Sequence, residues 1–250
     1  MADKGNILIT GAGSGIGRAS ALRMARGMHV IAADLNVDSA AETVSMIEAD
    51  GGSARAIKVD VSDKASVTSM KERIEKDVGS IDKAFFAAGI YIRGMVCDIP
   101  EDNWDRMMNI HVKGTFLCCQ AVLPDMVAAN KGVIVNMSSD FAVMAVPAAA
   151  AYMAAKSAIY SLTKSIALEF APHNIRINAL GPGPIDTPIL QSGRSPQEYE
   201  DARLMLADKL PVGRLGQPEE VAAVLDFLLS DRSAYMTGQI VHPNGGQLMW

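Results

Sequence analysis

The chain has 250 residues and a net charge of −5 with no long basic run, so it lacks the concentrated positive footprint that nucleic acid demands. Hydrophobic residues at 49% and charged residues at 20% suit a soluble globular protein with a sizeable core, and every apolar stretch is broken short of the ~18 residues of a membrane span. Cys97, Cys118 and Cys119 form an odd set without C-x-x-C or metal-ligand spacing, and residues 1–10 lack the apolar core of a secretory signal. A reduced, cytoplasmic setting with no disulfide framework and no metal site is therefore expected.

Residues 6–10 (NILIT) read as a first strand that runs directly into TGAGSGIGRAS. Gly11, Gly13, Gly15 and Gly17 let the backbone approach a pyrophosphate at the N-terminus of a helix expected over 15–26. The spacing is Thr-Gly-x-x-x-Gly-x-Gly, since Ile16 stands where G-x-G-x-x-G would need its third glycine. HVIAAD (29–34) reads as the second strand and ends on Asp34, about 20 residues past the glycines, where a carboxylate accepts hydrogen bonds from the adenosine ribose. Such a carboxylate repels a 2′-phosphate, and neither Leu35, Asn36 nor Ser14 brings a compensating charge. The expected cofactor is NAD.

Further along, helical periodicity over 38–50, 64–78, 103–129, 152–171 and 218–230 alternates with β-branched runs at 54–60, 81–88, 132–139, 175–180 and 238–243. The strands are apolar almost throughout, as when both faces of a sheet are covered. This pattern predicts an α/β fold: a single doubly wound Rossmann-type domain over 1–250, with a mostly parallel seven-stranded sheet and helices on both faces. The Pro-, Gly- and Ser-rich stretch 181–201 is the long irregular segment, and about 186–210 is expected to be a substrate lid. Gly193, Ser195 and Pro196 are read as interrupting any long helix there.

The run SSDFAVMAVPAAAAYMAAKSA (138–158) is nearly all small and apolar, yet it keeps Ser139, Tyr152 and Lys156. Tyr152 and Lys156, four apart, share one helix face. Together with TGAGSGIG (10–17), NIHVKG (109–114), NMSS (136–139), YMAAK (152–156) and IRINALGPGPIDTP (175–188), this resembles a short-chain dehydrogenase/reductase of the roughly 250-residue kind over nearly the whole length. The resemblance implies Tyr152 as acid/base, Lys156 lowering its pKa and holding the nicotinamide ribose, Ser139 holding the substrate oxygen, and Asn109 positioning a water that relays protons to Lys156. It also implies cofactor contacts from Gly11, Ser14, Gly15, Ile16, Gly17, Asp34, Ala88, Gly89, Tyr152 and Lys156. Asp60 and Val61 in KVDVSD would meet the adenine, although Asp60 reads equally well as a turn residue. Pro182, Ile185 and Thr187 would lie along the nicotinamide.

Two departures stand out: FAAG (86–89) replaces Asn-Asn-Ala-Gly, and HPNGG (242–246) replaces a segment where Asp-Gly-Gly is common. His29, His111, His173 and His242 form no ligand pattern, and His111 is read as structural. Tyr91, Arg93, Phe141, Val143, Met144, Leu190, Arg194 and Met205 are expected around a mostly apolar pocket. The leading expectation is NAD-dependent interconversion of a secondary alcohol and a ketone. The alternatives are an NADPH-using 3-oxoacyl carrier-protein reductase and a non-catalytic NAD(H)-binding regulator. Apolar residues beyond one stripe on 103–129 (Phe116, Leu117, Cys118, Val122) and 152–171 (Ile159, Leu162, Ile166, Phe170) predict assembly through these helices. The resemblance implies a homotetramer or homodimer.

Overall fold

The computed structural model describes residues 5–191 and 194–249. Seven strands, β1 (Asn6–Thr10), β2 (His29–Asp34), β3 (Ser53–Lys58), β4 (Lys83–Phe86), β5 (Gly132–Met137), β6 (Ile175–Leu180) and β7 (Ile240–Val241), form one sheet. Their order is β3-β2-β1-β4-β5-β6-β7, and every pairing is parallel. The chain winds outward through β2 and β3, then returns to the far side of β1 as β4 and winds out the other way. That reversal opens a crevice at the carboxyl ends of β1 and β4, the usual ligand position in such sheets.

Helices α1 (Gly15–Met24), α2 (Val37–Ala49), α3 (Lys64–Asp77), α4 (Glu101–Met108), α5 (Gly114–Ala128), α6 (Ala150–Phe170), α7 (Pro188–Gln191), α8 (Pro196–Lys209) and α9 (Pro218–Leu229) fill the connections. Alternate strand residues serve opposite faces. Leu8, Ile31 and Ile134 join Met70 and Ile74 of α3, Val122 of α5 and Ile166 of α6 in one core. Ile7, Ile9, Val30 and Val135 join Met24 of α1, Ile47 of α2 and Leu225 of α9 in the other. Burial on both faces is why these strands are apolar throughout. Asn36 and Asp63 start α2 and α3 by accepting hydrogen bonds from first-turn amides.

Several elements depart from the sequence expectation. The helix expected over 103–129 breaks into α4, a π-helical turn (Asn109–Lys113) and α5. At its end Gly114 lies so close to Val61 that a Cβ would meet Val61 Cγ2 at 2.8 Å. The stretch 181–201, read as irregular, carries α7 and the start of α8: Ser195 accepts from the Glu198 amide while the Glu198 carboxylate accepts from the Ser195 amide. This reciprocal box, with Pro196 in the first turn, starts α8 where a break was expected. Gly193 lies outside the described residues. The strands expected at 54–60, 81–88, 132–139 and 238–243 end early, with 59–60, 87–88, 138–139 and 242–243 beyond the sheet, and β4 and β7 also start two residues late.

Most of the surplus apolar residues on α5 and α6 go into the core: Leu117, Cys118, Val122, Ile159 and Ile166 are buried. Phe116 (45% exposed) and Leu168 (81%) remain open. Cys118 and Cys119 are buried on α5, where burial pushes the Cys118 thiol up to about 12 and Cys119 higher still, while Cys97 is exposed. Among the described residues, no helix is long and apolar enough to cross a membrane.

Candidate active site

Two consecutive serines leave the end of β5, and their side chains part. Ser138 Oγ donates to the Lys156 carbonyl at 3.0 Å, pinning α6 to the sheet. Ser139 turns the other way, accepts from the Phe141 amide at 3.2 Å and hydrogen bonds with Tyr152. The fold therefore brings Ser139 to Tyr152. One turn further along α6, Lys156 is 2% exposed; its Nζ donates to the Met137 carbonyl at 2.9 Å and sits 5.3 Å from the centre of the Tyr152 ring.

Three rings stand edge-on around Tyr152: Tyr91 at 5.0 Å, His111 at 5.5 Å and Phe141 at 5.9 Å between centroids. The interplanar angles of 82°, 88° and 87° suit edge-to-face aromatic attraction. Asn109 is absent from this group. It is exposed at the start of the π-turn, and His111, two residues on, is the side chain turned inward. The expected position is thus corrected by two residues: the π-turn sets which polar side chain faces Tyr152. His111 Nε2 lies 2.7 Å from the Ile90 carbonyl and 3.2 Å from the Ile90 amide. The shorter contact makes Nε2–H the donor, which leaves Nδ1 a bare acceptor, buried and without a partner. Gly89 makes room for this ring, since a Cβ there would meet His111 Cε1 at 2.4 Å.

The glycine-rich turn lies between the ends of β1 and β2. Gly11 has φ of +71°, and a Cβ on it would meet the Ala88 backbone at 2.9 Å; one on Gly17 would meet the Gly11 carbonyl at 1.9 Å. Both glycines let helix, turn and strand approach each other. Ser14, exposed at the N-cap of α1, makes no side-chain capping bond, and the first turn of that helix has no acidic residue. Asp34 accepts from the Gly13 amide at 2.8 Å and from the Asn36 amide at 2.9 Å. Ala88 donates its amide to Thr10 Oγ1 at 3.3 Å, and Phe86 is buried in the core in place of the absent first asparagine.

Asp60 Oδ1 accepts from the Ser62 amide at 2.9 Å and hydroxyl at 2.6 Å, which is the turn role. Val61 is buried against Gly114. Pro182 accepts from the Asp140 amide at 3.1 Å, and Ile185 is buried beside Gly216. Thr187 is buried 3.3 Å from where a Gly15 Cβ would stand, so this segment closes over the glycine-rich turn. Ile16 is half-buried in the first turn of α1.

A family model described as enoyl-(acyl carrier protein) reductase, of the short-chain dehydrogenase type, matches residues 11–247. The 3-oxoacyl-[acyl-carrier-protein] reductase of Thermotoga maritima is 38% identical over 240 residues, covering 96% of each chain. An NAD-dependent glycerol dehydrogenase of Listeria innocua is 36% identical over 242 residues, covering 96% of this chain and 92% of its own. A crystal structure of a short-chain type dehydrogenase/reductase from Mycobacterium marinum superposes with a TM-score of 0.93 at 32% identity, covering 99% of this chain and 97% of that one. The chain belongs to the short-chain dehydrogenase/reductase family.

Members of this family work with a nicotinamide cofactor, and the residues present fit one. The uncapped first turn of α1 leaves backbone N–H groups for a pyrophosphate, and the Asp34 carboxylate stands beside them for a ribose. In this short-chain dehydrogenase/reductase, burial drives both Tyr152 and Lys156 toward their neutral forms. Lys156 is lowered to about 7, and Tyr152 is raised well above its ordinary value, by burial first and then by the nearby Asp140 charge, against the Ser139 hydrogen bond. Burial also holds His111 near 3, so its imidazole is neutral at any working pH. His111 and Asp140 are the two site residues that sequence reasoning did not assign; a charge kept within an otherwise apolar run was the available signal for Asp140.

Proposed function

We propose that this enzyme interconverts a secondary alcohol and a ketone with NAD(H), with Tyr152 as the proton-exchanging group. The supporting observation is the Tyr152–Ser139 hydrogen bond, enclosed by aromatic edges with Lys156 one helical turn away. A tyrosine in an uncharged pocket is a poor base, so Lys156 must act as a cation at the moment of chemistry. The bound cofactor supplies the hydride-accepting ring and, when oxidised, a positive charge. Tyr152 takes the hydroxyl proton as hydride leaves the carbinol carbon, and gives a proton back in reduction. Ser139 steadies the substrate oxygen. The relay role expected of Asn109 passes to His111, whose Nδ1 accepts from a water while Nε2 stays anchored on the Ile90 carbonyl.

Asp34 supports NAD over NADP, because a 2′-phosphate would sit against a carboxylate already holding the Gly13 amide. The half-buried Tyr91, Phe141, Val143 and Met144 support a small, largely apolar substrate. The exposed Phe116 and Leu168 on α5 and α6 support pairing of subunits through these helices, in a dimer or tetramer. The competing reading, a 3-oxoacyl thioester reductase using NADPH, rests on the likeness to the Thermotoga maritima enzyme. A panel of secondary alcohols, ketones and a 3-oxoacyl thioester, each assayed with both dinucleotides by nicotinamide absorbance, separates them. Turnover of simple alcohols with NAD is expected; turnover of the thioester alone, with NADPH, would overturn the proposal.

A further inference from the structure

Asp140 is the most buried acid of the site, 1% exposed at the first position of the short 3₁₀ turn Asp140–Ala142. Its amide is tied to the Pro182 carbonyl. Its Oδ1 lies 3.1 Å from Ser139 Oγ, while Oδ2 is buried without any hydrogen-bond partner. Among the described residues it forms no ion pair. An ionised carboxylate so placed is costly, since burial penalises charge unless a cation or several donors compensate. The helix packed against its turn, α6, brings Tyr152 and Lys156, and beyond them Tyr91 and His111 stand against the Tyr152 ring. An ionised Asp140 raises the pKa of Tyr152 and so works against the phenolate that alcohol oxidation requires.

Counting lone pairs decides what the neutral acid does. Ser139 Oγ has one proton and two acceptor sites, and the Phe141 amide takes one of those sites. When Asp140 is ionised, the only proton of Ser139 is drawn to Oδ1, and the serine has no donor for a substrate oxygen. When Asp140 is protonated, its O–H fills the second acceptor site of Ser139, and the serine proton is released toward the Tyr152 oxygen and a substrate oxygen held beside it. The transition state gathers negative charge on that oxygen in either direction, so a donating Ser139 and an uncharged neighbour serve both.

We infer that Asp140 is a positioning residue that works as a neutral carboxylic acid, donating to Ser139 so that Ser139 can donate to the substrate oxygen. This rests on the dehydrogenase reading proposed above. Burial, opposed by the Ser139 and Phe141 hydrogen bonds, raises its pKa to about 7, within reach of working conditions. A carboxylic acid kept neutral in order to donate is an established device of active sites.

Two measurements on the full-length enzyme test it. The first is an infrared titration of wild type against Asp140→Asn, which needs no turnover. A protonated-carboxyl carbonyl band is expected at about pH 6 in wild type, fading through neutrality and missing in the variant. Absence of that band at about pH 6 overturns the inference. The second is the pH profile of ketone-reduction kcat/KM. Ketone reduction needs both a protonated Asp140 and a charged Lys156, so wild type should lose about a hundredfold per pH unit above the two titrations, whereas Asp140→Asn, whose amide still donates to Ser139, should lose about tenfold, from Lys156 alone. A falling limb of the same steepness in both proteins would assign it to Lys156 alone and overturn the role given to Asp140. Failure of the dehydrogenase reading would look different: no turnover of any alcohol or ketone by wild type, with the carboxyl band still present.

Discussion

Replacing Lys156 with methionine should abolish turnover and, near neutral pH, make the protein more stable. The side chain is 2% exposed with a single hydrogen bond, to the Met137 carbonyl, and burial lowers its pKa from 10.5 to about 7. Between those two values the unfolded chain binds more protons than the folded one, so wild-type stability rises with pH through this window. At about 1.4 kcal/mol per pKa unit, a gap of about three and a half units corresponds to about 5 kcal/mol across the window. Methionine fills similar space without ionising. It leaves the Met137 carbonyl unpaired, at a cost of about 1 kcal/mol that does not vary with pH. The variant should therefore lead wild type by several kcal/mol at about pH 7 and lose that lead by about 1.4 kcal/mol per pH unit, until little remains near pH 10. Urea denaturation of both proteins at one fixed concentration, every half pH unit, reads the difference directly and cancels the titration of other groups. A difference that stays constant from pH 7 to 10 would mean that Lys156 keeps an ordinary pKa in the fold, and the reasoning from its burial would fail.

Three other outcomes are expected. Tyr152→Phe should lower kcat by ~10²–10⁴-fold while leaving dinucleotide affinity within a few-fold, measured by single-turnover kinetics and fluorescence titration. Asp34→Ala alone should weaken both dinucleotides, because the Gly13 amide loses its partner, whereas Asp34→Ala with Leu35→Arg should bring preference toward NADP; a wild type that already prefers NADPH refutes that reading. Gly89→Ala should push the His111 ring away from Tyr152, reducing kcat and costing ~1–3 kcal/mol, with stability recovered when His111→Ala is added; additive losses in the double variant would show that the two residues do not collide.

The parts of the site legible in the sequence are those fixed by backbone geometry or by spacing along one element. Asp34 had to end a strand next to the glycine turn, and Tyr152 and Lys156 had to share a helix face, so neither depended on distant packing. Of the two adjacent serines, Ser138 binds the α6 backbone while Ser139 meets Tyr152, a division that the extended backbone leaving β5 imposes. The exchange of Asn109 for His111 was not legible. Both are polar and only two residues apart, and a π-turn decides which of them points inward. The start of α8 was misread for the opposite reason: Ser195, Pro196 and Glu198 carry a helix-start signature, but the surrounding Pro, Gly and Ser suggested a loop. Asp140 stood in plain view, yet its importance depends on two hydrogen bonds and a missing third, which only three-dimensional placement reveals.

The unequal setting of the three cysteines makes the native protein a single-site labelling reagent. Cys97 lies exposed in the turn that follows the Tyr91 loop, and that loop is stitched by the Gly94 amide to the Ala148 carbonyl, just ahead of α6. A thiol-directed dye should therefore attach there without mutagenesis and sense changes in the Tyr91 loop beside Tyr152. Cys118 and Cys119 are sealed on α5 and held as thiols by their surroundings, so they react when the core opens. Counting modified thiols by mass spectrometry would then time unfolding molecule by molecule: one adduct for a folded chain, three for an opened one.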